Sequence, residues 1–311
     1  MDSGNAGKRT GKAAGIAAIT AVNFSWGLDY IFIEYATEYI SPQLFSFIRI
    51  TVCAAVMLCV SATIRRRETI RRRSVGTDQD SQTQGRVRAA DVPRFLLTGA
   101  VGCSLYFTAE SIGTDLTSAA FASLIMAFVP IIGMVFDRIF FRSSLTPLKI
   151  GCALVSVAGV YFIVCGSPFG INVRGTVMMF AAACLWAGYI ALLKPLEERY
   201  SETQILTGIF TSGAVFLIPI VAFMGPGKYD ASPQFLAVIV ISAVAFIIIG
   251  NYGYIFAIGR LSVSMVSMFE NILPLTSVIF SVILLGRTLA PLQLAGGTIV
   301  IIATSILALK E

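Results

Sequence analysis

The chain has 311 residues, of which 56% are hydrophobic and 13% charged, with a formal net charge of +6. A soluble domain carries roughly 25% charged residues, and here apolar stretches long enough to cross about 30 Å of hydrocarbon recur from end to end. That pattern excludes an ordinary soluble globular domain and predicts an all-α polytopic membrane protein.

In chain order, residues 1–12 form a short basic N-terminus. The first apolar run begins near Ala13, is too long for a signal core and leads directly into another span, so no removable signal peptide is expected. Ten transmembrane helices are predicted, starting near residues 13, 43, 95, 117, 147, 175, 203, 234, 262 and 289. Turn-forming stretches separate them: SPQ at 41–43, LTP at 145–147, GSPFG at 166–170, GPGKYDASP at 225–233 and LAP at 289–291. Between the second and third spans, residues 64–93 open with IRRRETIRRRSV and continue as a polar stretch, GTDQDSQTQG, of flexible composition. The arginines lack an aromatic platform for nucleic acid, so no nucleic-acid partner is expected. Anionic lipid headgroups are their predicted partners.

Orientation follows from the basic residues. Nineteen of the 23 Lys and Arg fall on the side of the N-terminus, three (Arg174, Lys228 and Arg287) on the other, and Arg49 lies within a span. Basic residues stay inside, so a cell membrane location with both termini cytoplasmic is predicted. The six cysteines form no C-x-x-C pair and the chain has no histidine, so no metal site, disulfide or cofactor is expected.

The two halves resemble each other. WGLDYIFIEYATEYIS (26–41) lies over WAGYIALLKPLEERYS (186–201), matching Trp26 with Trp186 at an offset of 160. SLIMAFVP (123–130) lies over SMFENILP (267–274), matching Pro130 with Pro274 at an offset of 144. Five spans per half is an odd number, so the halves insert in opposite senses. The prediction is two inverted five-helix repeats, residues 13–166 with the basic loop and residues 174–309. Inverted repeats place a substrate site near the membrane midplane and characterise secondary carriers. An enzyme would need a nucleophile–base pair or a metal motif, and none is legible; a sensor would not need a charged residue beside a mid-span proline break.

Within NFSWGLDYIFIEYA, TSAAFASLIMAFVPIIGMVF, ACLWAGYIALLK and VSMFENILPLTSVIFSVILLGRTLAPLQLAGGTIVIIA the chain resembles the drug/metabolite transporter superfamily, and in it the EamA-like ten-span exporters. The resemblance covers about residues 13–308. It implies export of amino acids or related small metabolites, within a superfamily that also holds nucleotide-sugar exchangers. Two features depart from the family pattern. Phe-Arg-Ser (141–143) and Gly286-Arg287 stand where Gly-Glu is frequent, and Val129 and Leu273 precede the mid-span prolines where a glutamate is frequent.

Single residues sharpen the expectation. Pro274 leaves the carbonyl four residues earlier, that of Glu270, without its helical partner, and Pro130 does the same for Met126. These two prolines are the predicted helix breaks. Glu270 reads as an anchor for a substrate amine or a proton, or else as a structural glutamate bonded to a neighbouring helix. The first is favoured because ionisable residues inside a membrane mark function. Asn271 and Asn251, with Tyr252 and Tyr254 beside the latter, read equally as cavity-lining or as interhelical bonds. Trp26, Tyr30 and Glu34 share a face of the first span, with Asp29 close to it. Depth counting places Glu34 near Arg49, so a structural Glu34–Arg49 ion pair is expected, with Asp29 left for the site. Tyr106, one turn from Glu110, and Trp186 with Tyr189 complete the candidate substrate-binding residues. The rival substrates are hydrophobic cations and, with only Arg49 deep in the membrane, nucleotide sugars or organic anions.

The charge asymmetry predicts that fluorescent protein fused to either terminus is bright in cells, while alkaline phosphatase at the same point is inactive. Active phosphatase at a terminus would reverse the assigned orientation.

Overall fold

The computed structural model describes residues 3–75, 87–141, 146–166, 172–229, 232–261, 266, 269–270 and 272–310. Asn271 and the GTDQDSQTQG stretch of the basic loop lie outside them. The described residues contain helices and no strands. In hydrocarbon no water can pair with backbone groups, and a helix satisfies them within one segment.

Helix α1 spans Ser3–Thr37 and α2 Pro42–Val75. A single-turn 3-10 helix then leads into α3 (Val92–Gly99), which continues through a π-helical segment, Ala100–Leu105, into α4 (Tyr106–Leu116). Next come α5 (Ala119–Met126), α6 (Val129–Phe141), α7 (Pro147–Cys165), α8 (Val173–Glu197) and α9 (Glu202–Met224). Helix α10 (Pro233–Ile241) passes through a second π-helical segment, Ser242–Ile248, into α11 (Ile249–Ile258). Helices α12 (Ile272–Leu285) and α13 (Pro291–Lys310) follow. Six helical stretches are long and apolar enough to cross a membrane, and shorter apolar helices lie at 119–133, 147–163, 272–285 and 291–306. The molecule is a polytopic helical membrane protein.

Sequence punctuation explains the helix starts. Pro42, Pro147, Pro233 and Pro291 each occupy a first helical position, where the missing N–H is one the helix would leave unpaired anyway. Side chains of Ser118, Asn172 and Ser232 accept hydrogen bonds from the backbone N–H three residues on, and Ser201 forms a reciprocal capping box with Gln204. Before Pro130, α5 ends at Met126, two non-helical residues intervene, and the proline sits in the first turn of α6.

Polarity runs opposite to that of a soluble protein. Val155, Ile139, Ile283 and Phe223 face outward, whereas Asn23, Asp29, Arg49, Glu110 and Asn251 are buried. All six cysteines are free thiols; Cys53, Cys103 and Cys152 are buried, while Cys59, Cys165 and Cys184 lie on the outer surface.

Without a hydrophobic force between helices in lipid, close approach through small residues holds them together. Gly27 of α1 lies so near α12 that a Cβ there would stand 1.9 Å from Thr276 Oγ1 and 2.9 Å from the Leu273 carbonyl oxygen. Gly159 and Gly296 bring α7 and α13 equally close, backbone to backbone. Gly27→Val is therefore expected to cost about 1–3 kcal/mol of stability by overpacking. Gly151, where an added Cβ would meet no atom within 4 Å, serves as the control: Gly151→Ala should stay within about 0.5 kcal/mol. Thermal unfolding in detergent reads both, and an undamaged Gly27→Val would show that α1 and α12 are not held at this distance.

Candidate functional site

Helices α1, α4, α8, α11 and α12, with the α5–α6 break, surround one cavity of about 700 Å³, counted to include its open mouth. From α1 come Asn23, Trp26, Asp29 and Tyr30; from α4, Tyr106, Phe107 and Glu110. Trp186 of α8 and Asn251 of α11 face them, as do Glu270, Leu273 and Pro274, and Met126, Ala127, Val129 and Pro130 line the break.

An aromatic cluster forms the wall between the halves. The Trp26 and Trp186 rings meet edge-on at 5.4 Å, Trp26 lies 5.3 Å from Tyr254, and Trp186 lies 4.9 Å from Tyr106 and 6.0 Å from Tyr254. The second π-helical segment positions α1 against it. Its Phe246 carbonyl accepts the Trp26 indole N–H at 2.8 Å, and its Ser242 hydroxyl donates to Asp29 Oδ1 at 2.6 Å. π-bulges expose backbone groups in this way and are frequent at functional sites.

Three carboxylates face the cavity. Asp29 binds the Arg49 guanidinium through Oδ2. Arg49 is 1% exposed, and its guanidinium lies 4.8 Å from the Phe45 ring centre and 5.6 Å from that of Phe107. Glu110 accepts a hydrogen bond from the Tyr106 hydroxyl through Oε1. Glu270, half-buried, accepts one from Tyr254 at 2.9 Å. No lysine or arginine lines the cavity among the described residues.

The expected Glu34–Arg49 pair is corrected here. Arg49 pairs with Asp29, whereas Glu34 accepts from Arg287 Nε at 2.8 Å and Nη2 at 2.6 Å, and from the Ala119 backbone N–H at 2.7 Å. Five residues along a helix amount to about 7.5 Å of rise and about 140° of rotation, so Asp29 and Glu34 leave α1 in different directions. Depth counting alone ignored that rotation. Glu34 thus ties α1 to the start of α5 and to the turn after α12.

Tyr252 is a second correction. Its hydroxyl meets Thr203 Oγ1 at 2.7 Å on the α9 side, because the residue after Asn251 points about 100° away from it. Tyr189 stands behind the wall: its ring lies 5.0 Å from Trp186 and its hydroxyl 3.5 Å from Asn251 Oδ1. Trp26, Asp29, Tyr30, Tyr106, Trp186, Asn251, Glu270, Pro130 and Pro274 all line the cavity. Sequence reasoning missed Asn23 and Glu110 as lining residues, and Tyr254 as the partner of Glu270. The signals were present: Asn23 precedes Trp26 by three residues, Glu110 follows Tyr106 by four, and Tyr254 follows Asn251 by three, each spacing keeping one helix face.

A model of the EamA-like transporter family matches residues 13–165 and 173–309. The chain is 28% identical over 220 residues to a Streptantibioticus cattleyicolor protein named "Probable terminal-alkyne amino-acid exporter", covering 69% of this chain and 72% of that one. It is 21% identical over 288 residues to an Archaeoglobus fulgidus "Uncharacterized transporter", covering 92% and 95%. A crystal structure 16% identical in sequence superposes with a TM-score of 0.64 over 97% of each chain, a likeness of fold alone.

The Asp29–Arg49 pair generates a direct expectation. Removing one partner of a buried pair strands the other charge and costs about 3–5 kcal/mol, whereas replacing both with apolar groups costs far less. Arg49→Met should therefore lower the unfolding temperature strongly and Asp29→Leu/Arg49→Met should recover most of the loss. A double variant as damaged as the sum of the singles would show that the two charges do not compensate each other.

Proposed function

Since the chain belongs to the EamA-like transporter family, we propose that it is a secondary carrier that exports an amino acid or related amine-bearing solute across the cell membrane. Ten spans, arranged as inverted repeats over 13–166 and 174–309 with both termini cytoplasmic, would rock about a central site. The family match falls into two stretches at nearly these boundaries, which supports the division. So does the meeting at one cavity of residues matched between the halves, Trp26 with Trp186 and Pro130 with Pro274. The π-helical segments begin at residues 100 and 242, 142 residues apart, close to the 144-residue repeat offset.

The observation that carries the substrate class is Glu270 in the cavity wall, with no basic lining side chain beside it and the rings of Trp26, Trp186 and Tyr254 around it. A carboxylate in a water-poor site needs a cation or a proton, and aromatic faces favour an alkylammonium group. Proton and amine then compete for one carboxylate. Loading from one side releases the proton, and reloading from the other returns it, which couples export to the proton gradient. The relative named as an amino-acid exporter agrees with this class. The same aromatic wall would accept a hydrophobic cation of the multidrug type, the second reading. Arginines 65–67, at the inner end of α2 in this orientation, would contact anionic headgroups.

Flux of amino acids and amines into proteoliposomes under an imposed pH gradient tests the proposal. Wild-type protein should move an amine-bearing solute in exchange for protons. Glu270→Gln should lower the rate at least about tenfold, the loss of one charge-assisted contact, and remove its dependence on the gradient. Full, gradient-dependent flux in that variant would remove Glu270 from the mechanism.

A further inference from the structure

We propose that the cavity carries a second cation subsite at Glu110, so that the solute it fits best bears two ammonium groups, one held at Glu270 and the other at Glu110. The proposal rests on the reading of Glu270 above and extends it to the opposite wall.

Glu110 is 4% exposed and belongs to the cavity lining. Tyr106 satisfies Oε1, but Oε2 is buried with no hydrogen-bond partner among the described residues. Tyr30, 2% exposed and also lining the cavity, turns its hydroxyl to the same carboxylate as a second, poorly aligned neutral donor. Tyrosine hydroxyls are neutral donors, so an ionised carboxylate on this wall still needs a proton or a donor carrying positive charge. The other charged groups facing Glu110 are Asp29 and Arg49, and they neutralise each other. Among the described residues Glu110 therefore has no cation in a direct ion pair with it.

The two walls are alike in chemistry. At each, a tyrosine hydroxyl holds one oxygen of a glutamate, Tyr106 on Glu110 and Tyr254 on Glu270. The Trp186 ring packs against both tyrosine rings, 4.9 Å from Tyr106 and 6.0 Å from Tyr254. A hydrocarbon chain laid along the indole would carry an ammonium group to each carboxylate, with the aromatic faces favouring the charged ends. The carboxylate of a zwitterion would instead find no basic lining side chain, which sets a diamine above a simple amino acid.

Equilibrium binding to the purified full-length protein tests this with cadaverine and pentylamine, which differ by one ammonium group. Wild-type protein should bind the diamine at least about tenfold more tightly, and Glu110→Gln should bring the ratio close to one. Equal affinities in wild type, or a ratio that survives Glu110→Gln, would overturn the second subsite. The Glu270 reading is scored separately: pentylamine should weaken about tenfold in Glu270→Gln, and indifference to that change would overturn the first site instead. Binding of neither amine would overturn both. Should Glu110→Gln not fold, a series of α,ω-diamines of increasing length on wild-type protein decides. An optimum at one length supports two fixed carboxylates, and an affinity that only climbs with carbon number refutes them.

Discussion

The pairing of Arg49 with Asp29 sets the electrostatic condition on which the cavity depends. A guanidinium that is 1% exposed cannot stay charged in a membrane without a partner, and Asp29 is the partner α1 presents at that depth. Phe45 and Phe107 add their ring faces to the same cation. Because Arg49 is committed in this way, the cavity keeps carboxylates without a matching fixed positive charge among the described residues. A site built like that has its remaining cation supplied from outside, as a proton or a solute. The same charge balance argues against organic anions, which would meet acidic groups and no lining lysine or arginine.

Backbone geometry supplies the second condition. A continuous α-helix leaves no carbonyl free for a ligand or a neighbouring indole, so polar function at mid-membrane depth needs interruptions. Here the interruptions are the α5–α6 break before Pro130 and the two π-helical segments. One of those segments binds both Trp26 and Asp29 of α1 and so fixes which face of that helix meets the cavity. Small residues such as Gly27 then allow α12 to approach α1 closely enough to bring Pro274 to the same space.

Glu34 plays a different part from the cavity acids. Its two oxygens join α1, the N-terminus of α5 and the turn that carries Arg287; α1 and α5 both contribute residues to the cavity lining. A carboxylate at a helix N-terminus is favoured by the exposed N–H groups there, and the two-point contact with arginine fixes its orientation. This clasp closes the bundle at the end where α1 stops. It lies beside Gly286, whose φ of 61° turns the chain sharply after α12 and aims Arg287 back at α1.

The sequence by itself determined the polytopic helical membrane class and the prolines at which several helices begin, because hydrocarbon thickness and proline chemistry act locally and leave a direct record in composition and spacing. It also singled out Trp26, Trp186 and Glu270 as candidate site residues and Pro130 and Pro274 as candidate helix breaks, through matching between halves and the cost of a mid-span charge, and these five line one cavity. Only the tertiary structure decided how charges pair and which faces turn inward. Arg49 chose Asp29 over Glu34, and Glu34 chose Arg287, 253 residues away, because helix rotation and crossing set azimuth, which depth along one helix does not contain. Tyr252 turned to Thr203 for the same reason, while Glu110 and Tyr254 became cavity groups through packing against helices that are distant in sequence.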